Sequence, residues 1–211
     1  MKILTFPVGQ LQANCYFVIC EQTHRTAIID PGDDADFLIA KLQQNQCIPR
    51  AIIATHGHFD HVLGITDLKL TLNIPLYLHK ADQAILKNAA QSADYWTKVQ
   101  TAVPAPQVDQ FLTEGQFISF GIVKLQVIHT PGHTPGGVCL YSKKYKILLS
   151  GDTLFKKGIG RTDFSYGNFE QLQHSLKRIL ALPGETTVYP GHGETTTIGE
   201  EETFLKSFLR L

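Results

Sequence analysis

Four side chains able to hold a metal ion fall within six positions, His56-Gly57-His58-Phe59-Asp60-His61, directly after the apolar run Ala51-Ile52-Ile53-Ala54. In extended backbone, residues two apart point the same way, so His56 and His58 converge on one ion, while Asp60 and His61, where a helix starts, turn toward another. Three more donors sit in glycine-containing turns: His133 in Thr130-Pro131-Gly132-His133-Thr134, Asp152 in Ser150-Gly151-Asp152-Thr153, and His192 in Tyr189-Pro190-Gly191-His192-Gly193. Glycine lets the backbone turn sharply and come close to an ion. Five histidines and two aspartates exceed what one tetrahedral zinc with an open position accepts, so the set predicts two ions.

A consistent division gives His56, His58 and His133 to the first ion and Asp60, His61 and His192 to the second, with the carboxylate of Asp152 bridging them. A bridging hydroxide completes both shells and is the expected nucleophile, with Asp60 and Asp152 as the carboxylates that act with it. Two divalent ions, two carboxylates and one hydroxide leave a net charge of about +1, which attracts an electron-rich carbonyl or a carboxylate. Zinc is the first expectation for the metal. Imidazole and carboxylate accept iron and manganese as well.

These donors need strands that end along one edge. Ile3 to Phe6, Tyr16 to Cys20 and Thr26 to Asp30 read as strands, followed by a helix carrying Ala35, Leu38, Ile39 and Leu42 on one face. The strand Ala51 to Ala54 delivers the His56 loop; Gly64 to Leu72 reads as a helix and Leu76 to Leu78 as a strand. A helical stretch follows from about Lys80 to Ala90, then a long loop from Gln91 to Gln110 in which Tyr95 and Trp96 wall a cleft or anchor the loop. A second strand-rich block comprises Phe117 to Phe120, Lys124 to His129, Val138 to Tyr141 and Ile147 to Ser150. A helix from Asn168 to Ala181, a strand from Thr187 to Tyr189 and a helix from Glu200 to Leu211 close the chain. Each block ends strands in donor-bearing loops, so two facing sheets with helices outside and donors on one edge are expected. Asp30, at a strand end, reads equally as the orienting partner of a metal-bound histidine or as a turn residue. His24, His79 and His174 are left outside the site.

The 211 residues, 43% of them apolar, suffice for a real core and read as one domain over residues 1–211. Lys plus Arg equals Asp plus Glu at 19 each, so no global field favours nucleic acid or an anionic membrane. The N-terminal apolar stretch is too short for a signal peptide and no run reaches membrane-span length, so a soluble, cytoplasmic protein acting on a small molecule is expected. Cys15, Cys20, Cys47 and Cys139 lack Cys-x-x-Cys spacing and read as reduced core thiols. The oligomeric state is left open.

The His-x-His-x-Asp-His loop with the later His133, Asp152 and His192 resembles the metallo-β-lactamase superfamily along the whole chain. That resemblance implies an α/β fold, the αββα sandwich, and the ligand division given above. Thr130 to Thr134 and Gly151-Asp152-Thr153-Leu154-Phe155 are similar to the glyoxalase II branch, which hydrolyses S-2-hydroxyacylglutathione thioesters. Longer members of that branch add a helical domain that holds glutathione. Here 19 residues follow His192, and Glu194 stands where such enzymes carry a tyrosine, so the chain is more similar to the short glyoxalase II-like hydrolases of bacteria. The segment Gly160-Arg161-Thr162-Asp163-Phe164 is similar to one in persulfide dioxygenases of the same superfamily, which use a single iron on two histidines and a carboxylate; here those would be His56, His133 and Asp152. A non-catalytic metal-binding module is the third reading. Arg161, in a glycine-flanked loop nine residues past Asp152, is the expected contact for a substrate carboxylate, with a structural pairing to Asp163 as the alternative.

Overall fold

The computed structural model describes the backbone of residues 1–209 and the side chains of residues 1–206. Six strands form the first sheet, in chain order: β1 (Lys2–Val8), β2 (Ala13–Ile19), β3 (Arg25–Ile29), β4 (Ile48–Ile53), β5 (Leu76–His79) and β6 (Gln110–Leu112). β1, β2 and β3 run antiparallel as a meander, and β3 to β6 run parallel. Parallel neighbours need crossovers. Between β3 and β4 the crossover is α1 (Ala35–Gln44); between β4 and β5 it is α2 (Phe59–Val62) with α3 (Ile65–Leu72).

The second sheet also has six strands: β7 (Phe117–Phe120), β8 (Val123–His129), β9 (Val138–Ser142), β10 (Ile147–Gly151), β13 (Thr187–Pro190) and β14 (Thr196–Thr197). A small hairpin, β11 (Leu154–Phe155) with β12 (Gly158–Ile159), interrupts the sequence after β10. Its helices are α6 (Phe169–Leu180), which crosses over from β10 to the parallel β13, and α7 (Ile198–Leu209). Of the expected closing helix Glu200 to Leu211, residues 210 and 211 lie outside the described residues.

The apolar pattern shows why two sheets face each other. β2 is buried at every position, with no polar alternation, because both of its faces are covered. Tyr16, Val18 and Cys20 point into the layer between the sheets, against Ile118, Leu125, Val127, Leu140 and Leu149 of the second sheet. Cys15, Phe17 and Ile19 point outward under α1 and α3, where Leu38, Leu42, Ile65 and Leu68 cover them. On the far side, Leu172, Leu176 and Ile179 of α6 cover Cys139, Tyr141, Leu148 and Val188. The layers are helix, sheet, sheet, helix, the expected αββα sandwich. No helix among the described residues is long and apolar enough to cross a membrane.

Residues 91–110 differ from expectation. The stretch read as a helix from Lys80 to Ala90 is broken into a 3-10 turn, α4 (Gln83–Lys87) and α5 (Ala89–Thr97), so the long loop starts only at Lys98. α5 buries only Ala89 and Ala93, four residues apart, and small residues leave almost no hydrophobic period to read. β6 is three residues long at the sheet edge, too short for an alternation signal.

Candidate metal centre

The seven predicted donors meet at the facing ends of the two sheets. β4 runs into Thr55, and His56 and His58 follow in extended backbone before α2 carries Asp60 and His61. His133 comes from the β8–β9 turn, Asp152 from the end of β10, and His192 from the turn after β13. Nδ1 of His58 lies 3.2 Å from Nε2 of His56 and 3.0 Å from Nε2 of His133. Nε2 of His192 lies 3.2 Å from both Nε2 of His61 and Oδ2 of Asp60, and the last two are 3.6 Å apart. Donors at ~2.05 Å from a tetrahedral ion stand ~3.3 Å apart, so both triads have the spacing of a ligand set. Asp152 lies between them: Oδ1 is 3.4 Å from His61, while Oδ2 is 3.5 Å from His133, 4.0 Å from His56 and 3.8 Å from His192. Its Oδ1 is buried without a hydrogen-bond partner. A buried carboxylate oxygen left unpaired is costly unless a cation meets it, so the residues fit a pair of ions.

Metal-binding histidines need their second nitrogen held, to fix ring and tautomer. Nδ1 of His56 lies 3.1 Å from Oγ1 of Thr55, and Nε2 of His58 lies 2.8 Å from the hydroxyl of Tyr166. Nδ1 of His61 meets Oδ2 of Asp30 at 3.2 Å, and Nδ1 of His133 donates to the carbonyl of Arg161 at 2.8 Å. Asp30 also accepts from the amide and hydroxyl of Thr55, both at 2.6 Å, so its carboxylate is fully used in orienting. Asp30 also turns the chain, with a positive φ of 49°, so it meets its turn reading as well as holding His61. Tyr166 carried no motif and was missed.

The loops are clamped across the sandwich. Asp82 accepts from the amide of Gly57 (3.0 Å), the hydroxyl of Thr134 (2.7 Å) and the amide of Gly136 (2.5 Å), tying the His58 loop to the His133 turn. Sequence reasoning missed it because a lone aspartate at a helix start reads as an ordinary cap. Asn14 of β2 reaches the carbonyls of Pro190 and Gly193, and the Tyr16 hydroxyl donates to Pro190, so the first sheet holds the turn that carries His192. Gly191 is needed there: a Cβ would collide with Oδ1 of Asp152. Arg161 lines the cleft above the donors, with its fork on Asp163 at 2.9 and 2.8 Å and its face over the Phe164 ring at 4.8 Å. His79, left out of the site, stacks on His129 at 4.1 Å and is in none of the donor groups among the described residues.

The family model of the metallo-beta-lactamase superfamily matches residues 8–192, a span holding all seven donors. The chain belongs to the metallo-beta-lactamase superfamily. It is 32% identical to the hydroxyacylglutathione hydrolase GloC of Haemophilus influenzae, over 96% of this chain and 95% of that one. The B3 metallo-beta-lactamase BLEG-1 is similar in structure with a TM-score of 0.87 at 39% identity, covering 96% of this chain and 97% of that one. A di-iron-bound form of TTHA1623 gives 0.86 at 40% identity, covering 94% and 96%. Members of this superfamily are generally hydrolases.

Electrostatics separate the two triads of this superfamily member. Burial and the neighbouring imidazoles hold His56 well below the usual histidine range, and burial with His133 lowers His58 to about 3. Burial would lower His61 too, but the carboxylates of Asp152, Asp60 and Asp30 outweigh it and raise His61 to about 10. These shifts set a pH profile for the metal-free protein. Lowered in the folded state, His56 and His58 resist protonation there but protonate in the unfolded chain below about pH 6.5, so each removes stability as pH falls. His61 is raised, so its contribution is complete below about pH 6.5 and is lost as pH climbs through about 10. The denaturation midpoint of metal-free protein should peak near neutrality and drop toward both about pH 5 and about pH 10. A midpoint that climbs steadily through the alkaline range would rule out the carboxylate pairing of His61.

Proposed function

We propose that this chain is a dinuclear metal-dependent hydrolase cleaving a thioester, such as an S-2-hydroxyacylglutathione. The observation that carries the dinuclear reading is the pair of three-donor groups, His56/His58/His133 and Asp60/His61/His192, with Asp152 between them, its Oδ1 near His61 and its Oδ2 near His133, His56 and His192. Two divalent ions held there, zinc first, would supply a water acidic enough to attack near neutral pH and a Lewis acid for the carbonyl. The chain's own residues do the rest. Asp30, Thr55, Tyr166 and the Arg161 carbonyl keep the histidine rings aimed. No cysteine is among the described residues lining the cleft, in keeping with a reaction that uses no thiol nucleophile. The thioester class is supported by the likeness to GloC along nearly the full length of both chains.

The segment from Gly160 to Phe164 favours a second reading, a persulfide dioxygenase with one iron on His56, His133 and Asp152. Against it, His58 stands closer to both histidines than Asp152 does, and the segment already has a structural task in holding Nδ1 of His133. Metal analysis and assays on one reconstituted preparation separate the readings. We expect close to two divalent ions per chain and turnover of S-lactoylglutathione above that of a persulfide or a β-lactam. A content that stays at one iron, with persulfide oxidation, would overturn the proposal.

Arg161 is the proposed contact for a carboxylate on the thiol half, which would exchange with Asp163 on its exposed fork. Arg161→Ala should then raise KM roughly tenfold with kcat nearly unchanged, because the contact is the same in ground and transition states. An unchanged KM toward a carboxylate-bearing thioester would remove Arg161 from the substrate site.

A further inference from the structure

The donors open onto a cleft of about 570 Å³, the size of a small-molecule site. Apart from the metal donors, Arg161 is the one charged side chain among the described residues that line it. The wall from the β1–β2 turn and from α4 and α5 is uncharged and carries Leu11, Ile85 and Trp96, with the neutral polar Gln10, Ser92 and Thr97 beside them. Trp96 and Leu11 keep 55% and 50% of their surface exposed. An exposed indole beside a reactive floor gains most from an apolar ligand, since burial of apolar area is the driving force and no charge on that wall opposes it. A lactoyl group, with one methyl, is too small to cover these three side chains.

We propose that the acyl group of the substrate is bulky and apolar, aromatic or branched, and that it seats on Leu11, Ile85 and Trp96, leaving the Arg161 side to the thiol half. This rests on the thioester reading and names its substrate class. In the reaction, water adds across the carbonyl–sulfur bond: the carbonyl carbon takes the hydroxyl, the sulfur takes the proton, and an apolar acid and a thiol leave.

S-mandeloylglutathione and S-lactoylglutathione share the 2-hydroxyacyl core and the thiol and differ as phenyl against methyl, so they isolate the seat. On metal-reconstituted protein, kcat/KM should favour the mandeloyl compound by about tenfold or more, and Trp96→Ala should lower the mandeloyl value about tenfold more than the lactoyl value. Equal losses on both substrates overturn the seat. Trp96 is the single tryptophan of the chain, so its emission reads occupancy without turnover. Mandelate should perturb that emission at concentrations where lactate does not; identical responses to the two acids overturn the seat. If neither thioester is hydrolysed while mandelate alone perturbs Trp96, the seat stands and the thioester reading falls.

Discussion

Asp152→Ala should be the most damaging single change at the donor cluster, lowering activity by roughly a thousandfold or more, because it removes a carboxylate that lies between the two donor triads. The residue is 11% exposed at its side chain, and its Oδ1 has no hydrogen-bond partner to stabilise it in place of a cation. On the proposed bridging assignment, removing it subtracts a ligand from both ions and a negative charge from a site where several imidazoles already crowd. His192→Ala subtracts a ligand only from the second triad, and should retain the first ion. Elemental analysis beside kinetics separates the two: the Asp152 variant should lose affinity for both ions, the His192 variant for one. Equal metal content and equal activity in the two variants would show that Asp152 does not bridge. Asp152→Asn keeps the shape but not the charge, and should fall between the alanine variant and the parent.

The second large effect is on stability. Asp82→Ala should cost about 3 kcal/mol or more, measured by chemical denaturation, because three donors, Gly57 N, Gly136 N and Thr134 Oγ1, lose their acceptor in a dry interior. Burial already pushes the Asp82 carboxyl above its usual range, and the hydrogen bonds from those donors oppose the push. Activity should fall with stability, since the same three bonds hold the loops of His58 and His133 together. Asp82→Asn should recover only part of either loss, because its NH2 must face amide donors. A variant within about 1 kcal/mol of the parent would mean that water replaces the carboxylate, and that the clamp is not Asp82.

The metal donors were legible because their chemistry leaves little alternative. Histidines and aspartates are rarely packed at such density after apolar strands unless something binds them, and the glycines beside His133, Asp152 and His192 marked close approach. The sandwich was legible in the same way. β2 reads as an apolar run from Cys15 to Ile19 because it is covered on both faces, and α6 shows its stripe of Leu172, Leu176 and Ile179. Where small or polar residues do the packing, the pattern fades: α5, with Ala89 and Ala93 inside, read as loop, yet it carries Trp96 to the cleft.

The sequence by itself determined which side chains can hold metal, that they outnumber one ion, and that two apolar blocks must face each other. Only the tertiary structure decided which groups aim those donors. Tyr166 meets His58 across 108 residues, Asn14 meets Pro190 across 176, and Asp82 joins Gly57 to Gly136. Asp30 combines a turn backbone with a hold on His61, and Arg161 holds His133 through its main-chain carbonyl. Such contacts leave no local mark, because a tyrosine hydroxyl or a backbone carbonyl has the same propensity wherever it sits. Its role is set by the long-range packing of two sheets that brings it within about 3 Å of a histidine ring.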